Sequence, residues 1–334
     1  MINFPIDIVY TWVDGNDESW RIKKNNTLKK YSNFHHTDEV SGNERFFDRN
    51  ELKYSLRSVS KFAPWVRKIF IITDGQQPNW LNINNAKIQI IDHKEIFCNQ
   101  SLLPCFNSHA IEANIHHIKD LSDNFLYFND DCFLGRSTLK SDFFLDFNKP
   151  KLFMGKKTKN PLNKKYLLRD NPHQHAIFNS RKLVYKKLNT IINVSPRHGI
   201  KALNKESLYK TENTFKYDIN LTIKNQFRDN SDIWMIALNA FELIAKNKNI
   251  SIYLKPYRKK FMRYQLKIFR KNRDYVFIPL NLTTDRIKNK LDTIKKYKPL
   301  MFCINDCPNT EIEKYNQISK FLSLFYESKS EFEK

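Results

Sequence analysis

The chain has 334 residues, of which 57 are basic and 35 are acidic, so its formal net charge at pH 7 is +22. Hydrophobic residues make up 41% of the chain and aromatic residues 14%, which is enough to build a core and excludes disorder as the main state. The chain contains only 6 glycines, and no two lie close enough to form a Walker phosphate loop or a GxGxxG dinucleotide motif, so both modes of phosphate binding are excluded.

The sequence predicts a protein that is cytosolic, possibly peripheral on the inner face of the cytoplasmic membrane. No apolar run approaches the roughly 18–20 uncharged residues of a membrane-spanning helix, and the start of the chain lacks the features of a signal peptide. The five cysteines are expected to be free thiols, because Cys303 and Cys307 have no second Cys/His pair nearby that would complete a zinc site.

The first half alternates strand-like and helical segments, which is typical of an α/β fold. The predicted strands are Ile6–Val13, Lys68–Thr73, Lys87–Ile91 and Asn124–Phe128. A helix is predicted at Asn50–Phe62, where apolar residues recur with helical spacing. A second is predicted at Ser108–Ile118, with its isoleucines buried and its polar face, formed by His109, Glu112 and His116, pointing away from the core.

An acid follows each of the four predicted strands. These acids are Asp14, Asp74, Asp92 and the pair Asp130-Asp131. Ligands of open α/β sheets bind outside the carboxyl ends of the strands, so the pattern favours a metal-nucleotide site there. Aspartate is also a common strand terminator and helix cap, and this alternative is favoured for Asp92 alone.

The second half has a different composition. Residues 1–148 hold 17 basic and 19 acidic residues, whereas residues 149–334 hold 40 and 16, a balance of +24. We predict a nucleotide-sugar-binding α/β part at 1–148 and a basic, mainly helical part at 149–334 that completes the site and binds acceptor. Residues 143–168 are predicted to form an irregular lid loop. Helices are predicted at 181–188, 232–245, 284–296 and 311–326, with a strand near 276–280.

Several residues of the first half are candidates for substrate or metal binding. Asp130 and Asp131 can present two carboxylates to Mg²⁺ or Mn²⁺, which would bridge phosphate oxygens. Gly15 allows a tight turn that brings backbone amides close to a nucleotide, or simply closes a plain turn. In the basic half, Arg228 is a candidate for a bidentate contact with a diphosphate. The residues that we assign to substrate binding are Asp14, Asn16, Asn50, Arg57, Asp74, His109 and Asn305.

A histidine is the usual general base for a sugar hydroxyl, and His173 and His175 lie beside Arg169. His173 is the predicted base, with Glu112 as the competitor. The stretch 255–273 carries nine basic residues among aromatic and aliphatic ones and is assigned to acceptor or membrane binding.

Longer strings around these residues resemble the Stealth family. IDIVYTWVDGND, NELKYSLRSVSKFAPWVRKIFIITDGQQPNWL and LPCFNSHAIEANIHHIKDLSDNFLYFNDDCFLG resemble its first two conserved regions and cover almost all of residues 6–135. NPHQHAIF resembles the histidine motif of the third region without its usual proline. FRDNSD resembles the arginine motif that closes that region, and FCINDC resembles the fourth.

The resemblance implies a nucleotide-binding sheet like that of GT-A glycosyltransferases and a transfer of sugar-1-phosphate from a nucleotide-sugar to a glycan hydroxyl. The active-site residues implied by the resemblance are Asp14, Arg57, Glu112, Asp130, Asp131, His173, Arg228 and Asn305. His173, Glu112, Arg228 and Asp131 are expected to act in catalysis. The expected acceptor is an anionic or lipid-linked glycan of a bacterial capsule or lipooligosaccharide.

Two other functions fit parts of the pattern. A GT-A glycosyltransferase would use the same acids but release a nucleoside diphosphate instead of a monophosphate. A non-enzymatic protein that binds an anionic polymer would account for the charge, but it has no use for acids after four strands; nucleic acid is not an expected partner.

Overall fold

A computed structural model of the chain describes residues 2–30, 42, 46–155, 157–167, 171–246, 251–253 and 274–334. The predicted basic binding stretch 255–273 and Arg169 lie outside the described residues. None of the helices in the described part of the chain combines the length and apolar composition needed to cross a bilayer.

Strands and helices occur in both halves of the described chain. The strands are β1 (Ile6–Thr11), β2 (Ile69–Thr73), β3 (Ile88–Asp92), β4 (Asn124–Asn129), β5 (Cys132–Leu134), β6 (Phe144–Asp146), β7 (Lys149–Pro150), β8 (Leu152–Met154), β9 (Lys201–Asn204), β10 (Ser251–Tyr253), β11 (Tyr275–Pro279) and β12 (Met301–Asn305). The helices are α1 (Glu18–Lys29), α2 (Glu51–Phe62), α3 (His93–Ile96), α4 (Ser108–Asn114), α5 (Lys140–Phe143), α6 (Pro172–Leu188), α7 (Lys205–Thr214), α8 (Lys216–Lys224), α9 (Met235–Lys246), α10 (Thr284–Tyr297) and α11 (Ile312–Phe325).

The central sheet has five strands in the order β3-β2-β1-β4-β9. Strands β1 to β4 are parallel, and β9 pairs antiparallel with β4. The four strands predicted in the first half are therefore confirmed, with ends that shift by one or two residues, and so is the α/β fold class. Their near-continuous apolar sequences are typical of parallel strands that are covered on both faces.

The two faces of the central sheet carry separate cores. One core joins Val9, Phe70 and Phe125 to the apolar residues of α9, and the other joins Tyr10 and Leu126 to α2. The sheet is thus a layer between helices, and its carboxyl edge is the place where loops from both sides converge.

A second sheet lies next to that edge. Strand β12 pairs parallel with β11 and antiparallel with β5, and α10 and α11 pack on it through a third core. Because β5 starts directly after Asp131, this sheet meets the carboxyl end of β4 at the Asp130-Asp131 pair. Since β9 joins the central sheet and β5 joins the second, both sheets contain strands from both halves; the division at residue 148 stays a prediction.

Two sequence-based expectations are corrected by the fold. Residues 144–154 carry the short strands β6, β7 and β8 rather than an irregular loop, because the apolar residues between the lysines, such as Phe144 and Phe153, are buried. Helix α6 starts at Pro172 and not near Arg181, since Asn171 caps its first turn and proline fits that position.

Candidate active site

The acids that follow the parallel strands share one edge of the sheet, but two of them have structural partners. Asp92 accepts a hydrogen bond from the Lys94 backbone at 2.8 Å and caps α3, as the capping alternative predicted. Asp74 forms an ion pair with Lys23 of α1 at 2.6 Å. The structure therefore brings Asp74 to the predicted edge, where it holds α1 against the sheet.

Five carboxylates form what we call the acidic cluster. Its members are Asp14, Asp48, Glu51, Asp130 and Asp131. Burial raises the pKa of Asp48, and the negative charge of Asp14 raises it further. Burial raises the pKa of Asp130 well above its ordinary value, and the negative charges of Asp131, Glu51 and Asp48 raise it further. Burial likewise raises the pKa of Glu51 to about 7, with Asp48 adding to the shift. The carboxylates are thus close enough to repel one another, which is the situation a divalent cation relieves.

Asp48 and Glu51 were missed by the sequence analysis. They flank Asn50, which adopts a left-handed conformation (φ 67°) immediately before α2 and donates its backbone N–H to Asp48 at 2.9 Å. Acidic residues are common at the start of any helix. The local sequence therefore does not distinguish an acid that binds a metal ion from one that only stabilises the helix start. Asn50 itself is exposed at the rim of the acidic cluster.

Asp131 connects the acidic cluster to the rest of the site. Its carboxylate lies 3.1 Å from Nε2 of His198 and accepts a hydrogen bond from the Cys303 thiol at 3.0 Å. Burial opposes its ionisation, but these partners hold the pKa of Asp131 below its ordinary value. His198 was not predicted from the sequence, because no motif surrounds it.

Basic side chains from the second half form what we call the basic pocket, which meets the acidic cluster where His198 contacts Asp131. It consists of His173, His198, Lys201 and Arg228. Burial holds the pKa of His173 well below its ordinary value, and the neighbouring charges of His109, Arg228, His198 and Lys201 lower it further. His173 is therefore neutral at neutral pH, while Arg228 supplies positive charge beside it. Burial lowers the pKa of Lys201, which neighbouring acidic groups such as Glu112 partly offset.

Arg228 is fixed by the start of α4. Its Nε and Nη2 atoms donate to Oγ of Ser108 at 3.1 and 2.7 Å, and its guanidinium is half-buried. Lys201 is buried at the start of β9, where its ammonium donates to the backbone carbonyls of Arg197 and Gly199. These contacts hold two cations in place before any ligand binds.

Asp232, His109 and His173 form a hydrogen-bonded chain of buried or half-buried side chains. Asp232 Oδ2 lies 3.0 Å from His109 Nδ1, and His109 Nε2 lies 3.1 Å from His173 Nδ1. Asp232 also accepts from Asn107 at 2.9 Å and from Asn225 at 2.7 Å. The prediction that the polar face of α4 points away from the core is wrong, since His109, Glu112 and His116 are buried by helices of the second half.

Glu112 lies beside this chain without joining it. The indole N–H of Trp234 donates to Glu112 Oε2, and the Trp234 ring packs edge-on against His173 with centroids 4.7 Å apart. Burial raises the pKa of Glu112, which the Trp234 hydrogen bond and Arg228 partly offset. Glu112 thereby fixes the side chain that orients His173.

The remaining predicted site residues lie in two different places. Asn16 is exposed in the turn after β1, where its backbone N–H donates to Asp14 at 2.8 Å. Asn305 ends β12, next to Ile304, whose backbone N–H donates to the Asp131 carbonyl at 3.1 Å. Both therefore border the acidic cluster.

Arg57 lies elsewhere. Its Nε and Nη2 atoms donate to the two carboxylate oxygens of Glu333 at 2.8 and 2.7 Å, and Nη1 donates to the Tyr326 carbonyl at 2.9 Å. These contacts place Arg57 against the C-terminal segment, so the structure does not bring it to the acidic cluster or the basic pocket.

The fold and the site together are typical of α/β proteins that bind a phosphorylated ligand with a divalent cation at the carboxyl edge of a sheet. Residues 4–32 match Stealth protein conserved region 1, and residues 45–152 match conserved region 2. The chain is 34% identical over 329 residues to the capsular polysaccharide phosphotransferase fcs1 of Haemophilus influenzae, covering 96% of this chain and 84% of that protein. The chain belongs to the Stealth family.

Two further relatives differ in how much of them is matched. The capsular polysaccharide phosphotransferase of Neisseria meningitidis serogroup B is 32% identical over 98% of this chain and 84% of its own length. The exopolysaccharide phosphotransferase SCO6023 of Streptomyces coelicolor is 39% identical over 70% of this chain, but the match spans only 38% of that protein.

One solved structure, the galactosyltransferase LgtC with donor and acceptor sugar analogs, aligns over 96% of each chain at 11% identity and a TM-score of 0.41. Nothing about function follows from a similarity at that level.

Proposed function

We propose that this chain transfers a sugar-1-phosphate from a nucleotide-sugar to a hydroxyl of a glycan, forming a phosphodiester and releasing a nucleoside monophosphate, in the synthesis of a bacterial capsule or related surface glycan. The relatives that this chain matches over most of their length are named phosphotransferases, which supports this activity. The observation that carries the proposal is the contact of Asp131 with His198, where the acidic cluster meets the basic pocket.

The residues present fit a hard divalent cation. Asp130 and Asp131 would hold Mg²⁺ or Mn²⁺, with Asp48 and Glu51 close by, and such ions take oxygen ligands. Burial raises the pKa of the Cys303 thiol well above its ordinary value, which disfavours a thiolate site for a soft metal. When bound, the ion supplies charge neutralisation on the diphosphate.

Arg228 and Lys201 are our assignments for the other side of the diphosphate. Both are held by contacts within the protein, so they lose little freedom when the anion arrives, and preorganised charge of this kind is the main source of stabilisation in phosphoryl transfer. Asp14, Asn16, Asn50 and Asn305 border the acidic cluster and are proposed to contact the donor there. Asp74 and Arg57 are occupied by Lys23 and Glu333, so our proposal gives them structural roles.

The hydrogen-bond chain explains how His173 can act as the base. With Asp232 ionised, His109 donates from Nδ1 to Asp232 and accepts at Nε2 from Nδ1–H of His173. Nε2 of His173 then carries a lone pair for the acceptor proton. His109 is thereby a positioning residue in our proposal rather than a substrate ligand.

In the proposed reaction one bond to phosphorus forms as another breaks, and the released proton has an acceptor. The acceptor oxygen attacks the phosphorus that carries the sugar, the bond from that phosphorus to the bridging oxygen breaks, and the nucleoside monophosphate leaves. The acceptor proton moves to Nε2 of His173. The bond between the sugar and its phosphate stays intact, which distinguishes this reaction from glycosyl transfer.

The chain of side chains gives a sharp test of the base. In Asp232→Asn the new amide can donate to Nδ1 of His109, so the proton order reverses and His173 presents N–H instead of a lone pair. We expect kcat to fall by roughly 10³–10⁴-fold, comparable to other wrong-tautomer substitutions. His109→Gln keeps an acceptor for Nδ1–H of His173 and should retain more activity than Asp232→Asn.

The readout is the release of nucleotide from a panel of nucleotide-sugars with Mg²⁺ and capsule or lipooligosaccharide fragments as acceptors. Burial raises the pKa of Asp232 to about 7, so wild-type turnover should rise through that pH and the limb should vanish in Asp232→Asn. Release of a nucleoside diphosphate would contradict the proposed reaction. A fully active Asp232→Asn variant with an unchanged limb would contradict the relay alone.

The acceptor side is proposed from charge. The balance of +24 on residues 149–334 favours an anionic glycan or an anionic membrane surface, where each nearby Lys or Arg contributes about 1 kcal/mol. A location on the inner face of the cytoplasmic membrane is part of this proposal.

A further inference from the structure

A second group of metal-ligand side chains lies outside the acidic cluster and the basic pocket. His116 and His117 form a 3₁₀ turn (Ile115–His117) directly after α4, and Glu212 projects toward them from α7. Glu212 Oε2 lies 2.8 Å from Nε2 of His116 and 3.1 Å from Nε2 of His117. One ligand atom from each of the three side chains lies within 4.8 Å of the other two.

The hydrogen bonds of His117 show that a positive charge is needed between these groups. Its Nδ1 lies 3.1 Å from the Ile96 carbonyl, which only accepts, so Nδ1 carries the proton. In a neutral ring Nε2 then points its lone pair at the Glu212 carboxylate, which repels it. A proton on Nε2 or a metal ion between the two atoms removes that repulsion, and an imidazole that donates Nδ1–H to a carbonyl is the usual arrangement of a metal-bound histidine.

The three ligand atoms lie close enough together to hold a metal ion in the place of that proton. Tetrahedral Zn²⁺ with ligands at about 2.0–2.2 Å needs ligand atoms about 3.3–3.6 Å apart. Glu212 Oε2 now lies 2.8 and 3.1 Å from the two imidazole nitrogens, so the atoms must separate by about 0.2–0.8 Å when the ion binds. His116 is fully buried, whereas the side chains of His117 and Glu212 are 15% and 20% exposed, which leaves an approach for the ion and a fourth position for water. Tyr209 packs against both imidazoles, with centroids 4.6 and 5.7 Å away.

We propose that His116, His117 and Glu212 bind a Zn²⁺ ion at a site distinct from that of the catalytic cation. The donor set of two imidazoles and one carboxylate suits zinc, whereas the acidic cluster offers carboxylate oxygens and suits magnesium. The ion ties the end of α4 to α7. Because α4 carries His109 and Glu112, the same ion stabilises the helix that holds part of the active site.

Cobalt binding tests this site, because tetrahedral Co²⁺ replaces Zn²⁺ and gives strong visible absorption. The full chain is stripped with chelator, titrated with Co²⁺ and then back-titrated with Zn²⁺. We expect one tetrahedral Co²⁺ per chain that Zn²⁺ displaces. Loss of a residue that only hydrogen-bonds a metal ligand lowers metal affinity by roughly 10- to 100-fold. His117→Gln and Glu212→Gln remove a ligand itself, so Zn²⁺ affinity should fall by more than this. Zn²⁺ should raise the melting temperature of the wild type but not of these variants.

Asp131→Asn is the matched control, since it alters the acidic cluster and the nearby thiols but leaves these three ligands intact. The tetrahedral signal should survive in Asp131→Asn. Loss of the signal in that variant but not in Glu212→Gln would overturn the proposal and move the ion to Asp131, Cys132 and Cys303. Absence of tetrahedral Co²⁺ in the wild type would also overturn it, because a proton then fills the position. Circular dichroism of each variant separates loss of binding from loss of fold.

Discussion

The ion pair between Arg57 and Glu333 predicts that Arg57 stabilises the fold and does not bind substrate. The side chains are 11% and 2% exposed, and the guanidinium makes two hydrogen bonds to the carboxylate and a third to the Tyr326 carbonyl. Among the described residues, Arg57→Ala leaves the buried Glu333 carboxylate with Lys53 at 3.7 Å as its nearby cation, and with hydrogen bonds from the Ser330 backbone N–H and hydroxyl.

Removing one partner of a buried ion pair costs about 3–5 kcal/mol. Because Arg57 keeps some exposure, we expect a loss near the lower limit, about 3 kcal/mol, which is a more than 100-fold change in the folding equilibrium. Urea denaturation measures this loss. The double variant Arg57→Ala/Glu333→Ala should lose less than the sum of the single losses, since no unpaired carboxylate remains.

Lys53→Ala is the matched control. Lys53 lies on the same helix and contacts the same carboxylate at 3.7 Å but is 27% exposed, so its removal should cost less than about 1 kcal/mol. At a temperature where Arg57→Ala is fully folded, its donor KM should equal that of the wild type. An unchanged urea midpoint together with a raised donor KM would refute the structural assignment and return Arg57 to the active site.

Three further predictions test other parts of the account. Asp130→Asn and Asp131→Asn should lose most turnover while circular dichroism stays unchanged, and chelator should abolish wild-type turnover; normal turnover in all three cases would contradict the cation site. Burial raises the pKa of Glu333, but the contacts with Arg57 outweigh burial and lower this pKa from 4.5 to about 2. The stability difference between wild type and Arg57→Ala should therefore be complete above pH 4.5 and shrink as the pH falls toward 2. A difference that does not vary over this pH range would contradict the ion pair. Gly15→Ala should cost about 1–3 kcal/mol in urea denaturation, because the new Cβ would lie 2.6 Å from the Phe46 carbonyl oxygen, and a neutral result would show that this turn relaxes freely.

The elements that could be predicted are those whose environment leaves a local pattern. Strands β1 and β2 are covered on both faces, so their sequences are mostly apolar, and α2 has one buried face and therefore a helical repeat. The convergence of Asp14 and Asp130 follows from the parallel order of their strands. Strands β5 and β9 have only 3 and 4 residues, too few for a pattern to form.

The parts of the site that could not be predicted depend on contacts across the chain. His198 is 67 residues from Asp131, and Asp232 is 123 residues from His109. No local spacing encodes such pairs. The burial of His109 and Glu112 could not be predicted for the same reason, because the helices that cover them come from the second half of the chain.

The fate of the bond between the sugar and its phosphate tests the central claim most directly. A donor labelled with ¹³C at the anomeric carbon is incubated with enzyme, Mg²⁺ and acceptor, and the product is examined by ³¹P and ¹³C NMR. Transfer of sugar-1-phosphate predicts a phosphodiester whose phosphorus remains coupled to the labelled carbon, with the anomeric configuration of the donor retained and a nucleoside monophosphate released. A product with no phosphorus coupled to the labelled carbon, formed with release of a nucleoside diphosphate, would contradict the account.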